Sequence, residues 1–117
     1  MNKIKSNYEN TLLLHHDLIG GKWKLCILWH IQQGDNRFSM LEKAIHDITP
    51  KVLSFQLNEL VDSGILIKEV VDDRPPKVII YSINEEYSIL TDIMASIHIF
   101  SHAYAKNNSI TLEQETD

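Results

Sequence analysis

The chain predicts an α+β fold that is mostly helical, and three observations carry this. Residues 49–64, TPKVLSFQLNELVDSG, have helical spacing and end signals on both sides. Residues 65–83, ILIKEVVDDRPPKVIIYSI, are two β-branched runs parted by a proline pair. From residue 85 onward, apolar side chains recur every three or four positions as far as residue 105. A capped helix running straight into a hairpin, followed by a long helix, is the pattern of a winged helix-turn-helix with a long C-terminal dimerisation helix.

Each element has its own justification. A first helix is expected over about 11–18, ended by Gly20-Gly21. A second runs from about 22 to 33, closed by Gly34. Its apolar residues Trp23, Leu25, Cys26, Ile27, Leu28, Trp29 and Ile31 nearly encircle it, which marks it as the central core helix. A short strand can form near Asn36-Arg37-Phe38. The third helix starts after Phe38, with Ser39 as N-cap and Glu42 three residues on as a capping box. Ile48-Thr49 make the turn into the fourth, residues 50–63. There Thr49 is the N-cap, Pro50 takes the first helical position without losing a hydrogen bond, and Gly64 supplies the left-handed residue after the end. The strands are 65–71 and 78–83, because two prolines cannot occupy a central ladder. Asn84 then caps a helix over about 85–105, and residues 107–117 (NNSITLEQETD) are a polar, frayed tail. The whole, 1–117, is expected to be one domain, with a winged part at about 11–83 and a dimerisation helix at about 85–105.

The faces of these elements suggest a job. On the fourth helix Leu53, Leu57, Leu60 and Val61 form the buried stripe, and Lys51, Ser54, Phe55, Asn58 and Asp62 lie on the other face. A polar-faced helix for a groove, beside a loop bearing Arg74 and Lys77 for the backbone, is how a winged helix-turn-helix holds double-stranded DNA. Phe55 is the odd member. It either packs against a neighbouring helix, the expected outcome, or touches a thymine methyl. Asp72 and Asp73 oppose the two wing cations, so the loop alone is weak evidence. On the last helix Leu90, Ile93, Ile97, Phe100 and Tyr104 form a heptad-like seam, beside Ile89, Met94, Ile99 and Ala103. So much apolar surface on a small chain points to a homodimer.

Charge and composition set limits. The formal net charge is −5, which argues against nucleic acid until its distribution is considered. Acids and bases balance over residues 1–77. Beyond them Lys106 alone faces Glu85, Glu86, Asp92, Glu113, Glu115 and Asp117, which accounts for the whole excess. The start, MNKIKSNYEN, has no apolar run, and no stretch is long and apolar enough to span a membrane. One cysteine, Cys26, excludes an intrachain disulfide and fits a cytoplasmic protein. There is no CxxC, phosphate loop, nucleophile elbow or HExxH, so neither an enzyme nor a cofactor is expected. His98 and His102 have metal-ligand spacing, but no third ligand accompanies them and no metal site is assigned. Glu85-Glu86 is a pair favoured by a helix N-terminus rather than a catalytic dyad.

The segments LIGGKWKLCILWHI, RFSMLEKAIHDITPKVLSFQLNELVDSGIL and RPPKVIIYSI together resemble the HxlR family of bacterial winged-helix transcription regulators, over about residues 17–105. That resemblance implies a fold similar to the MarR-like regulators and a DNA-binding homodimer joined largely through terminal helices. By position Lys51, Ser54, Phe55 and Asn58 match the family's groove-facing residues, and Arg74 and Lys77 its wing. Two departures stand out. Redox-sensing members carry a cysteine near the start of the first helix, where this chain reads ENTLLLHHD. Members often have a polar-basic pair where this chain has Phe55-Gln56.

The expected DNA-contacting set is therefore Arg37, Ser39, Thr49, Lys51, Ser54, Phe55, Asn58, Arg74 and Lys77. The expected function is sequence-specific DNA binding as a homodimeric regulator. The alternative is a winged-helix module that binds protein instead. Cys26, inside an apolar helix, is expected to be shielded and poorly ionised. Regulation is then left to protein level or to a small apolar effector between the core and the long helix, with Trp23, Trp29, Phe100 and Tyr104 as aromatic walls.

Overall fold

Helix ends written into the sequence set most element boundaries. In the computed structural model, which describes residues 4–113, the order is α1 (Thr11–Ile19), α2 (Lys24–Gln32), α3 (Phe38–Ala44), α4 (Pro50–Asp62), β1 (Leu66–Asp72), β2 (Val78–Ile83), a 3-10 turn (Glu85–Tyr87) and α5 (Leu90–Asn107). The chain falls into two compact units, one ending at Tyr87 and the other beginning at Ser88.

In the first unit α2, α3 and α4 pack on one another, α2 also packs on β2, and α4 on β1. Ile27 and Leu28 of α2, Leu41 of α3, Leu53, Leu57 and Leu60 of α4, and Leu66 of β1 are fully buried at their centre. Ile45 and Ile48 are buried too and pin the α3–α4 turn, in which Asp47 takes a left-handed φ of 68°. Asp tolerates that conformation better than most residues. β1 and β2 form a two-stranded antiparallel sheet pairing Leu66 with Ile83 through Val70 with Ile79, with an irregularity before Asp72.

The ends of α4 follow the expectation. Thr49 Oγ1 accepts the Val52 N–H at 3.2 Å, Pro50 opens the helix, and Gly64 follows it at φ 84°. α1 is capped by Asn10, whose Oδ1 accepts the Leu13 N–H at 3.0 Å. It stops at Gly20, where a Cβ would run into the carbonyl of His16.

Several expectations are corrected. Ser39 does not cap α3. The helix already includes Phe38, Arg37 holds the N-cap position in extended backbone, and no side chain caps it, so the Ser39–Glu42 capping box does not form. Among the described residues no strand forms at 36–38. A single backbone bond, Tyr81 N–H to the Asn36 carbonyl at 2.9 Å, ties that segment to β2. The helix expected over 85–105 is two pieces. Asn84 Oδ1 accepts the Glu86 N–H at 3.1 Å and so caps only the 3-10 turn, and α5 begins at Leu90. The same side chain also closes the base of the hairpin, where its Nδ2 donates to the Gly64 carbonyl at 2.9 Å. Of the expected tail, residues 107–113 are described, and Asn107 belongs to α5 rather than to the tail. The Asn108 side chain donates to the Tyr104 carbonyl at 3.0 Å and Ile110 N–H to the Ala105 carbonyl at 2.9 Å, which finishes α5 with a turn. Residues 114–117 lie outside the described part.

α2 is also less uniformly buried than its composition suggests. Lys24, Ile27, Leu28 and Ile31 form one buried stripe, while Trp23, Leu25, Cys26 and Trp29 keep part of their surface exposed. Lys24, only 5% exposed, belongs to that stripe. Its ammonium donates to Glu59 Oε1 at 2.7 Å and to Gln56 Oε1 at 2.8 Å, both on α4. A buried ammonium without a counter-charge is costly, so this trio fixes how α4 meets α2. Glu59→Ala should lower the unfolding free energy by about 3 kcal/mol, the scale for breaking a buried pair. The double replacement Lys24→Met with Glu59→Met should recover most of that loss. Urea denaturation measures both; a Glu59→Ala loss below about 0.5 kcal/mol would mark the pair as a weak surface contact.

Candidate nucleic-acid interface

Burial of Leu53, Leu57 and Leu60 turns the opposite side of α4 outward. Lys51, Ser54, Phe55 and Asn58 are all exposed on it, with Asp62 at its far end. The first turn holds Lys51 and no acidic residue, so the positive end of the helix dipole and one cation act together there. Among the described residues Lys51 makes no ion pair. Phe55 is 51% exposed. The expectation that its ring packs against a neighbouring helix is overturned, because its position places it across α4 from the buried stripe. Its neighbour Gln56 points the other way and is spent on Lys24.

The remaining expected residues are also at the surface. Arg37 and Ser39 are exposed where α3 begins, and Thr49 is exposed while its hydroxyl serves as the α4 cap. The wing is electrostatically closed on itself. Arg74 Nε and Nη2 donate to Oδ1 and Oδ2 of Asp72, each at 3.1 Å, and the Arg74 backbone N–H donates to Asp72 Oδ1 at 3.0 Å. Lys77 Nζ lies 3.6 Å from Asp73 Oδ1. The Arg74 guanidinium holds the Asp72 carboxyl below its usual range, so the carboxylate is ionised at neutral pH. Both cations remain largely exposed and can exchange these partners for phosphates.

Sequence reasoning missed Lys24, Gln56 and Glu59 as the residues that orient α4. The signal was present: positions 24, 27, 28 and 31 have the spacing of a single helical stripe, which puts a lysine on the buried face. Among the described residues no cluster of three metal-ligating side chains exists, and His98 and His102 simply lie ring against ring at 4.4 Å on α5. Among the described residues no helix is long and apolar enough to cross a membrane.

A trihelical core with a protruding hairpin and an outward polar helix defines the winged helix-turn-helix class. Within it the HxlR-like helix-turn-helix family model matches residues 18–109, and the chain belongs to that family. It is 40% identical over 98 residues to a Fusobacterium mortiferum protein named as the regulatory protein MalR, covering 83% of this chain and 88% of that one. A crystal structure of the HTH-type transcriptional regulator YtcD superposes with a TM-score of 0.75 at 31% identity, covering 83% of this chain and 98% of that one. A MarR-family transcriptional regulator from Enterococcus faecalis V583 superposes at 0.70 with 26% identity over 93% of this chain and 98% of its own. The protein is a transcriptional regulator of the helix-turn-helix type.

Cys26 is half-buried, and burial pushes its thiol pKa up. At neutral pH it therefore holds less thiolate than an ordinary cysteine. Iodoacetamide should alkylate it at least about tenfold more slowly in the folded protein than in urea. Equal rates, followed by mass spectrometry, would show an accessible and reactive thiol.

Proposed function

We propose that the protein binds double-stranded DNA sequence-specifically as a homodimer, with α4 in the major groove and the wing on the backbone. The observation that carries this is the outward stripe of α4, where Lys51, Ser54 and Asn58 combine a cation, a hydroxyl and an amide beside an unopposed helix N-terminus. These are the groups that contact phosphates and base edges. Arg74 and Lys77 sit on a loop flanking two prolines and suit phosphate contacts rather than base reading.

The test is the salt dependence of duplex binding by the full chain. A DNA reader loses affinity steeply as salt rises, whereas a winged helix that docks on protein does not. Because the wing cations are already paired, Asp72→Asn should free Arg74, tighten binding to every duplex alike and steepen the salt slope by about one unit. Salt-independent binding of the wild type would remove the DNA-binding reading, and an Asp72→Asn effect confined to one sequence would place Arg74 on bases.

The dimer rests on α5. Ile93, Ile97, Phe100 and Tyr104 are exposed along it, continued by Ile89, while Leu90 of the expected seam is buried within the single chain. Solvent exposure of a continuous apolar stripe on one helix is what a second copy would cover. Ile97→Glu should give a monomer that loses tight binding to a duplex carrying two half-sites about 34 Å apart. Sedimentation of the wild type as a monomer at micromolar concentration would refute the dimer.

A further inference from the structure

We infer that Phe55 is a specificity-determining residue that reads the C5 methyl group of thymine, and that the preferred site places adjacent A·T pairs under Phe55 and Asn58. The inference rests on the proposed DNA-binding reading and names what that face selects.

Helix geometry fixes where the ring stands. At about 100° per residue Phe55 lies about 190° around α4 from the centre of the Leu53–Leu57–Leu60 stripe. It cannot fold back onto the core without rotating the helix, and the Lys24–Glu59–Gln56 trio opposes rotation. Lys51, Phe55 and Asn58 follow one another at spacings of four and three, so the ring is the middle member of a single outward row.

A lone exposed aromatic needs no explanation by itself. This one is informative because of its neighbours. Lys51, Ser54, Asn58 and Asp62 surround it with groups that hydrogen-bond or carry charge, and Phe55 is the one member of the row that can do neither. Base edges in the major groove are lined with donors and acceptors, and their one apolar group is the thymine methyl. A ring held in the middle of a row that meets base edges has a single matching partner there.

Spacing then names the neighbouring base. Phe55 and Asn58 are separated by a rise of about 4.5 Å along the helix, close to the roughly 3.4 Å step between base pairs. The two side chains thus address adjacent pairs. An asparagine amide matches the N6–N7 edge of adenine. Adenine under Asn58 beside thymine under Phe55 gives a local A·T step in each half-site.

The experiment begins with a duplex selected by the wild-type full chain from a random-sequence library. Each thymine of the half-site is replaced singly by deoxyuridine, which removes only the methyl group, and binding is followed by fluorescence anisotropy. At one position the replacement should weaken the wild type about fourfold, the scale of one buried methylene. Phe55→Ala should bind the thymine and uracil duplexes equally, and Phe55→Leu should retain part of the difference. Phe55 is half-exposed, so both variants should keep the wild-type thermal unfolding, checked by circular dichroism. Uracil that is silent at every position for the wild type, or that costs Phe55→Ala as much as the wild type, overturns the methyl contact while leaving DNA binding intact. Methyl sensitivity that survives while Phe55→Ala changes only self-association would overturn it as well, and would assign the ring to a protein interface. Failure of the wild type to select any duplex removes the DNA-binding reading itself.

Discussion

The meeting of α2 and α4 is the constraint on which the rest depends. Leu53, Leu57 and Leu60 demand burial, and the buried charge of Lys24 demands the partners that Glu59 and Gln56 supply. Apolar packing tolerates sliding and small rotations, because it has no direction. An ammonium held by two oxygens at 2.7 and 2.8 Å does not. The first interaction drives α4 onto the core and the second sets its rotation. Everything on the outer face, from Lys51 to Asp62, inherits its direction from those two demands.

The wing shows the opposite logic. Its cations are paired locally, Arg74 with Asp72 and Lys77 with Asp73, in a setting where water screens the attraction. Such pairs cost little to exchange, so they hold the tip in order without committing its charges. Together with the acidic excess beyond residue 77, this keeps the chain from presenting a broadly basic surface. Affinity for nucleic acid then has to come from a few placed groups rather than from net charge. An aromatic ring in the middle of the outward row fits that economy of charge.

In the second unit the break at Ile89 matters more than its length suggests. A continuous helix from Asn84 would need one unbroken run of helical hydrogen bonds. Instead Asn84 divides its amide between the Gly64 carbonyl and the Glu86 N–H, and α5 starts afresh at Leu90. The exposed row Ile93, Ile97, Phe100 and Tyr104 is thereby carried on a helix with its own start, continued by Ile89 at its N-cap.

What the sequence determined by itself was local. Thr49, Pro50 and Gly64 bounded α4, the Pro75-Pro76 pair bounded the hairpin, and helical spacing separated Leu53, Leu57 and Leu60 from Lys51, Ser54 and Asn58, because caps, prolines and periodicity act within a few residues. The family was legible for the same reason, since its motifs are runs of neighbours. Tertiary structure decided the rest. Ser39 has the composition of a cap but not the backbone position, since the helix starts one residue earlier at Phe38. Asn84 has the composition of a long-helix cap but shares its amide with a residue twenty positions away. Lys24 joins the core only because α4 brings Glu59 to it, and Phe55 is left exposed only because that same contact fixes the rotation of α4. A partner thirty-five residues distant leaves no mark on local composition, so helical spacing could place Lys24 on the buried face but could not name Glu59 as its partner.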